Sequence, residues 1–253
     1  MAKITVNAFN FSIRPLVHTK NQQTKMHSHA TGQLYFLNSG MISGYAKNKY
    51  WSIVPNCIGW IPMTIEHSAT MWGNIAGWSL YLPASLCDEL PLEPCVLKTS
   101  DLASALMTRI VTFTNTATLT EQQIKIIEVL IDEVKSSQPI ETLLLPQPTD
   151  ARLIKITQAI WHDPTIEKSQ QQWAKLAAIS VRSLSRHFKA QTGITFSHWK
   201  QLAKVMLSLE QLAQGIAIKD IAYSCGFSDA SSYIASFKSI FGVTPRRYFS
   251  GYG

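Results

Sequence analysis

The sequence predicts an α+β multidomain protein, with an N-terminal antiparallel β-barrel and flanking helices followed by an all-α domain containing two helix-turn-helix units. Three observations carry this expectation. Short apolar segments broken by Gly, Pro, Asn and Ser crowd the first 82 residues, helical periodicity takes over after Pro83, and one helix, turn and helix layout recurs near the C-terminus. A length of 253 residues fits two domains at roughly 100–200 residues each. The expected boundaries are 1–137 for the barrel domain, 138–149 for a linker and 150–253 for the helical domain.

The expected strands are ITVNAF, QLYFLN, GMISGYA, YWSIV, CIGWIP and GWSLYLP, many brief segments at regular intervals. Segments 100–113 and 120–136 read as helices, the second opened by Thr120 and Gln123 at capping-box spacing. Its Ile124, Ile127, Ile131 and Val134 form one apolar stripe, which serves either the core of its own domain or the seam of a homodimer. QPIETLLLPQPT, with three prolines, reads as an extended, semi-rigid connector. Seven helices are expected beyond it, at Asp150–Trp161, Gln170–Ala177, Val181–Thr192, Thr195–Gln214, Ile218–Ser224, Asp229–Phe241 and Thr244–Tyr248.

Charge separates the two halves. Residues 1–149 balance 10 basic against 10 acidic side chains, whereas residues 150–253 hold 13 against 6, so the helical half carries the whole excess of +7. A basic module of this kind suits a polyanionic partner. Cys57, Cys87, Cys95 and Cys225 form no CxxC pair and read as free thiols of a reducing cytoplasm. The N-terminus has no signal-peptide pattern, and the charge-free run His67–Cys87 is too interrupted by Ser, Asn, Gly and Pro for a membrane span. A cytoplasmic location is expected. Phosphate-cradling glycine loops, nucleophile elbows and HExxH are all missing from the sequence, so no enzyme activity is expected.

LAAISVRSLSRHFKAQTGITF and IAYSCGFSDASSYIASFKSIFGVTP share the layout of a helix-turn-helix DNA reader. In the first, Trp173, Leu176, Ala177, Leu184 and Phe188 take buried positions and turn Arg182, Ser185, Arg186 and Lys189 outward. Arginine pairs bidentately with guanine, and serine bonds bases or phosphates, so this face is expected to read sequence. In the second, Phe227, Tyr233, Phe237 and Phe241 are core by spacing, leaving a small, weakly polar face of Asp229, Ala230, Ser231, Ser232, Ala235 and Lys238, with phosphate contacts expected from Lys238 and the serines.

Residues 150–249, and above all IKDIAYSCGFSDASSYIASFKSIFGVTPRRYF, resemble the AraC-type bacterial transcription regulators. The resemblance implies two recognition helices joined by a long helix, here Thr195–Gln214, entering successive major-groove segments of promoter DNA. It also implies base contacts from Arg182, Ser185 and Arg186 and from positions near Ser231, Ser232 and Ala235. Two positions depart from the family pattern: Lys204 stands for a usual Arg in the joining helix, and Ala235 for a base-contacting Arg of several members.

In the neutral half, His27 and His29 lie at i, i+2 and so share a strand face, with Gln33, Gly40, Pro62, His67 and Met71 following. A third histidine from a neighbouring strand would complete a divalent-metal site. The spacing resembles the paired motifs of cupin barrels, with Gln33 where those have a metal-binding Glu. GQLYFLNSG and WIPMTIEHSA extend the likeness to the cupin-type sensor domains fused to some AraC-type regulators. Three readings of the histidines stand open: a metal site, a metal-free pocket for an organic effector, or structural residues. Trp51, Trp60, Trp72, Trp78 and Tyr81 line an effector pocket or simply fill the core.

These readings combine into a sequence-specific regulator that binds double-stranded promoter or operator DNA and senses a small molecule or metal ion in its barrel. A homodimer through helix 120–136, and RNA polymerase for an activator, are the further partners. The alternatives are an architectural DNA binder of little sequence preference and a metal-dependent cupin enzyme tethered to nucleic acid.

Overall fold

The computed structural model describes residues 11–18, 21–113 and 119–250. The expected strand at Ile4–Phe9 lies outside them. Among the described residues, chain contacts form two compact units, residues 11–18, 21–47, 51–113 and 119–141 in one and residues 48–50 and 142–250 in the other.

The antiparallel sheet holds β1 (Ser12–His18), β2 (Gln22–His27), β3 (Gly32–Ala46), β4 (Lys49–Ile53), β5 (Cys57–Ile61), β6 (His67–Leu82) and β7 (Cys95–Lys98), which but for Lys49 and Tyr50 lie in the first unit, and β8 (Leu144–Pro146), which like those two residues is counted with the second. Its path runs β1-β6-β3-β4-β8, with β2 on β6 and β5 between β3 and β7. Among the described residues this path curls without closing, so the expected barrel is an open one. QLYFLN and GMISGYA are one continuous strand, not two. Gly40, at φ 75°, lies where the β3–β6 register shifts between Leu37 and Met41, so it makes a bulge rather than a turn. Likewise Gly73, Asn74 and Gly77 fall inside β6, where turns were expected. At Gly77 a Cβ would lie 2.3 Å from the Phe36 carbonyl, so close strand approach, not a turn, calls for this glycine. Period-two patterning missed β1, β2, β7 and β8, because β1 does not alternate and carries Pro15, β2 is mostly polar, and the other two are only four and three residues long.

Two helices pack on the sheet. α1 (Asp101–Ile110) is capped by Ser100, and α2 (Glu121–Ser136) opens with the predicted capping box of Thr120 and Gln123. Ile127, Leu130, Ile131 and Val134 join Leu34, Phe36, Trp60 and Leu80 in one core. The α2 stripe is therefore used within its own domain, and its outer face presents only Val129 as an exposed large hydrophobic. The proline-rich segment makes contacts of its own. Ile140 donates to the Val96 carbonyl, residues 141–143 form a 3-10 turn, and Leu143 and Leu145 are fully buried.

The second unit contains α3 (Ala151–His162), α4 (Gln170–Leu176), α5 (Val181–Thr192), α6 (Phe196–Ala213), α7 (Ile218–Ser224), α8 (Ala230–Phe241) and α9 (Pro245–Ser250), within a residue or two of the sequence expectation. Each N-terminus from α3 to α6 has a Ser, Thr or Asp side chain capping a backbone N–H, which explains why the boundaries were readable. Leu153, Ile156, Trp173, Leu184, Phe188, Trp199 and Met206 make its core. Trp199 also donates its indole N–H to the Pro146 carbonyl at 2.7 Å.

Candidate nucleic-acid interface and candidate metal site

α4 and α5 form the first helix-turn-helix. The turn between them places Ala178 at φ 53°, and α5 ends at Gly193 in the left-handed conformation. Leu184 and Phe188 are fully buried, so α5 has one fixed rotation, and that rotation leaves Arg182, Ser185, Arg186 and Lys189 exposed along one face. Leu176, expected in the core, is instead 47% exposed. Two of the outward side chains are held in place. Gln170 of α4 donates to the Ser185 hydroxyl at 2.9 Å, and an Arg186 guanidinium nitrogen lies 3.1 Å from His187 Nε2.

α7 and α8 repeat the design. Gly226, at φ 71°, occupies the turn position that Ala178 holds in the first unit, and Gly242 closes α8 as Gly193 closes α5. Tyr233 and Phe237 are fully buried. Ser231, Ala235 and Lys238 then share the outer face at i, i+4 and i+7 and are all exposed. Ser232 is committed elsewhere. Its backbone N–H donates to the Asp229 carboxylate and its hydroxyl accepts from the Asp229 backbone N–H, a capping box, and the first of these bonds, with one from the Ser228 hydroxyl, holds that carboxyl below its ordinary pKa. Lys204, on the joining helix α6, donates to the Gly226 carbonyl at 2.6 Å, and burial lowers its pKa.

A repeated helix-turn-helix frame with a basic outward face on α5 and a small, weakly polar one carrying Lys238 on α8 is the geometry of a major-groove reader. The helix-turn-helix domain family matches residues 173–251. The HTH-type transcriptional regulator NimR of Escherichia coli is 29% identical over 230 residues, covering 91% of this chain and 84% of NimR. Residues 173–251 thus carry an AraC-type helix-turn-helix domain, and the chain is similar to AraC-family regulators. Another relative, the HTH-type transcriptional regulator RipA of Corynebacterium glutamicum, is 31% identical over 107 residues, 42% of this chain and 32% of RipA. Among solved structures, ToxT of Vibrio cholerae aligns over 95% of this chain and 98% of its own, at 16% identity and a TM-score of 0.40. The matched domain and the relatives named by sequence support a DNA-binding transcriptional regulator. No helix among its described residues is long and apolar enough to cross a membrane.

In the other unit, the sheet brings together His27, His29 and His67. His27, at the end of β2, pairs directly with His67, the first residue of β6, and His29 follows in the link to β3. Ring centroids lie 4.4 Å apart for His27 and His67 and 5.0 Å for His29 and His67, and the three can each offer a nitrogen within 4.8 Å of the others. In all three, Nδ1 faces a backbone carbonyl two residues away: Lys25 at 2.8 Å, Thr31 at 2.6 Å and Ile65 at 2.9 Å. Such a bond fixes the tautomer and leaves Nε2 as the nitrogen with coordinating capacity. His67 is fully buried, and its Nε2 has no hydrogen-bond partner. Burial, with His27 and His29 adding to it, lowers the His67 pKa and favours the neutral ring. The residues fit a late first-row metal ion, which prefers imidazole nitrogen.

Gln33, the fourth predicted residue, is buried beside this group and contacts His29. Sequence reasoning assigned no role to Ser79, which Gln33 also bonds, or to Gln170. Neither sits in a recognisable motif, and each is significant only through a partner distant in sequence. Of the aromatic residues, Trp51 and Trp60 are core, while Trp72 donates to Ser43 and Tyr81 flanks His29 at 5.5 Å.

Proposed function

We propose that this chain is an AraC-type regulator that binds operator DNA sequence-specifically, reading bases mainly with Arg182, Ser185 and Arg186 of α5 and holding phosphates with Lys189, Ser231 and Lys238. The observation that carries this reading is the exposure of three cations and Ser185 on one face of α5, against the small side chains of Ser231 and Ala235 on α8. Ser232 contributes through the helix cap it forms. The protein acts in the cytoplasm, on double-stranded DNA.

Selection of binding sites from random duplex DNA tests the assignment. The full chain is expected to enrich a defined motif, and Arg186→Ala to relax it. Lys238→Ala is expected to weaken binding to all sequences and to reduce the salt slope by about 0.9. Salt-sensitive binding without an enriched motif would instead indicate an architectural DNA binder.

The N-terminal domain serves as the sensor, for a small molecule or a metal ion. The convergent nitrogens of His27, His29 and His67 favour a divalent metal ion. Occupancy alters DNA binding only if the ion prefers the arrangement in which both readers engage. Metal analysis of untagged protein against a His27→Ala/His29→Ala variant tests the site: stoichiometric metal lost in the variant supports it, and none in either sinks it. A homodimer through α2 rests on its outer face, where Val129 is 43% exposed, and sedimentation of Val129→Glu tests that seam. For an activator, RNA polymerase is the further partner.

A further inference from the structure

The two readers share one frame. α5 and α8 each run for twelve residues, open on a side-chain cap, at Ser180 and Asp229, and close on a left-handed glycine, at Gly193 and Gly242. Counted from the first helical residue, positions four and eight are buried in both, as Leu184 and Phe188 and as Tyr233 and Phe237. Position seven of α8, Ser236, accepts from the Gln201 side chain of α6 at 2.8 Å, so that flank also meets protein. Positions two, six and nine then face outward, with position five at their edge. On α5 these are Arg182, Arg186 and Lys189, with Ser185; on α8 they are Ser231, Ala235 and Lys238, with Ile234. Lysine closes both sets. Where the first reader places Ser185 and Arg186, however, the second places a half-buried isoleucine and an exposed alanine.

We infer that α8 reads thymine methyl groups, through Ile234 and Ala235, in addition to holding phosphates. This rests on the DNA reading proposed above and extends base recognition to the second helix-turn-helix. The N-terminal residues of a recognition helix reach base edges, and Ile234 and Ala235 occupy the places from which α5 offers a hydroxyl and a guanidinium. Neither side chain has a donor or an acceptor. In the major groove the apolar feature of a base pair is the C5 methyl group of thymine, whereas a C·G pair offers the cytosine amino donor and the guanine acceptors. Over thymine, Ile234 and Ala235 bury methyl against methyl; over C·G they cover polar groups and return no hydrogen bond. Discrimination thus comes both from contact with the right base and from a stranded polar edge on the wrong one. Lys238, at the place of Lys189, keeps its phosphate.

Base analogues in the selected operator test this with the full chain. Deoxyuridine in place of thymidine deletes the C5 methyl and nothing else, and 5-methylcytosine in place of cytosine adds it. The element that Arg186→Ala relaxes marks the α5 half, so every position outside it is scanned by binding titration. The expected result is at least one thymine there whose replacement by deoxyuridine weakens binding about three- to fivefold, and at which 5-methylcytosine binds tighter than cytosine by a similar factor. Ile234→Ser or Ala235→Ser is expected to abolish that methyl effect, and Arg186→Ala to leave it intact. Equal affinity for thymine and deoxyuridine at every scanned position, or a methyl effect that survives both serine variants, overturns methyl reading while leaving base reading by α5 standing. Failure of the wild type to enrich any motif overturns both. Thermal melting of each variant controls for folding. Should Ile234→Ser fail to fold, the exposed Ala235→Ser and the base analogues, which leave the protein unaltered, still decide.

Discussion

Gln170 and Ser185 join the two helices of the first reader: the side-chain amide of one donates to the hydroxyl of the other across 2.9 Å, fifteen residues apart. A serine hydroxyl is a free rotor, and this bond fixes which way it presents its proton. Gln170→Ala is therefore expected to lower discrimination at the base pair under Ser185 by about three- to tenfold. Site selection by Gln170→Ala, Ser185→Ala and the double variant checks this. Additive losses would mean that the two side chains act separately.

The two readers differ at one equivalent turn position, where Ala178 stands at φ 53° and Gly226 at φ 71°. A side chain in this left-handed region is strained by roughly 1–2 kcal/mol, partly offset by the greater freedom glycine gives the unfolded chain. Ala178→Gly is expected to stabilise the protein by about 0.5–1 kcal/mol. Gly226→Ala is expected to destabilise it by more than about 1 kcal/mol, since the new Cβ would also lie 2.3 Å from the Pro164 carbonyl. Paired thermal melts decide both.

Asp150 caps α3 by accepting from the Arg152 backbone, and the Arg152 guanidinium bonds the same carboxyl. These hydrogen bonds lower its pKa from the ordinary 3.8 to about 2. The folded value lies below the unfolded one, so the carboxylate favours the fold above about pH 3.8, and this contribution fades as the pH falls through about 2. An NMR titration is expected to place the Asp150 midpoint near 2, and Arg152→Ala to raise it toward 3.8.

Tyr233 and Phe237 anchor α8, both fully buried. The Tyr233 hydroxyl donates to Ser208 at 3.1 Å, while Ser208 donates onward to Val205. Tyr233→Phe removes one bond and leaves the Ser208 donor satisfied, an expected loss of about 0.5–1.5 kcal/mol. Phe237→Ala opens a cavity, and denaturant unfolding is expected to register about 3–5 kcal/mol.

The helical half was legible nearly to the residue, because caps such as Ser180 and Thr195 and stops such as Gly193 and Gly242 are local signals. The sheet was less so. Gly40 and Gly73 suggest turns when read alone, and only pairing with a distant strand makes them parts of β3 and β6. The proline-rich segment showed a related limit: its spacing suggests an extended, semi-rigid link, and no local pattern reveals that Leu143 and Leu145 are buried. Spacing gave the histidines and the α5 face. It did not give Gln170, the cap that engages Ser232, or the anchors of Gln33, all of which depend on contacts made in the finished fold.

Both ends of β6 come to His29: His67, its first residue, lies at 5.0 Å and Tyr81, its second to last, at 5.5 Å. A straight strand of this length would hold its ends about 50 Å apart. The nitrogens of His27, His29 and His67 thus share a neighbourhood with residues 33, 79 and 81 only after β6 has been laid down along β3 and curled round. On the ribosome, the complete arrangement has no counterpart until Leu82 has emerged. A ligand of this site therefore recognises the paired and folded β3 and β6, and a chain that stops short of Leu82 cannot compete for it.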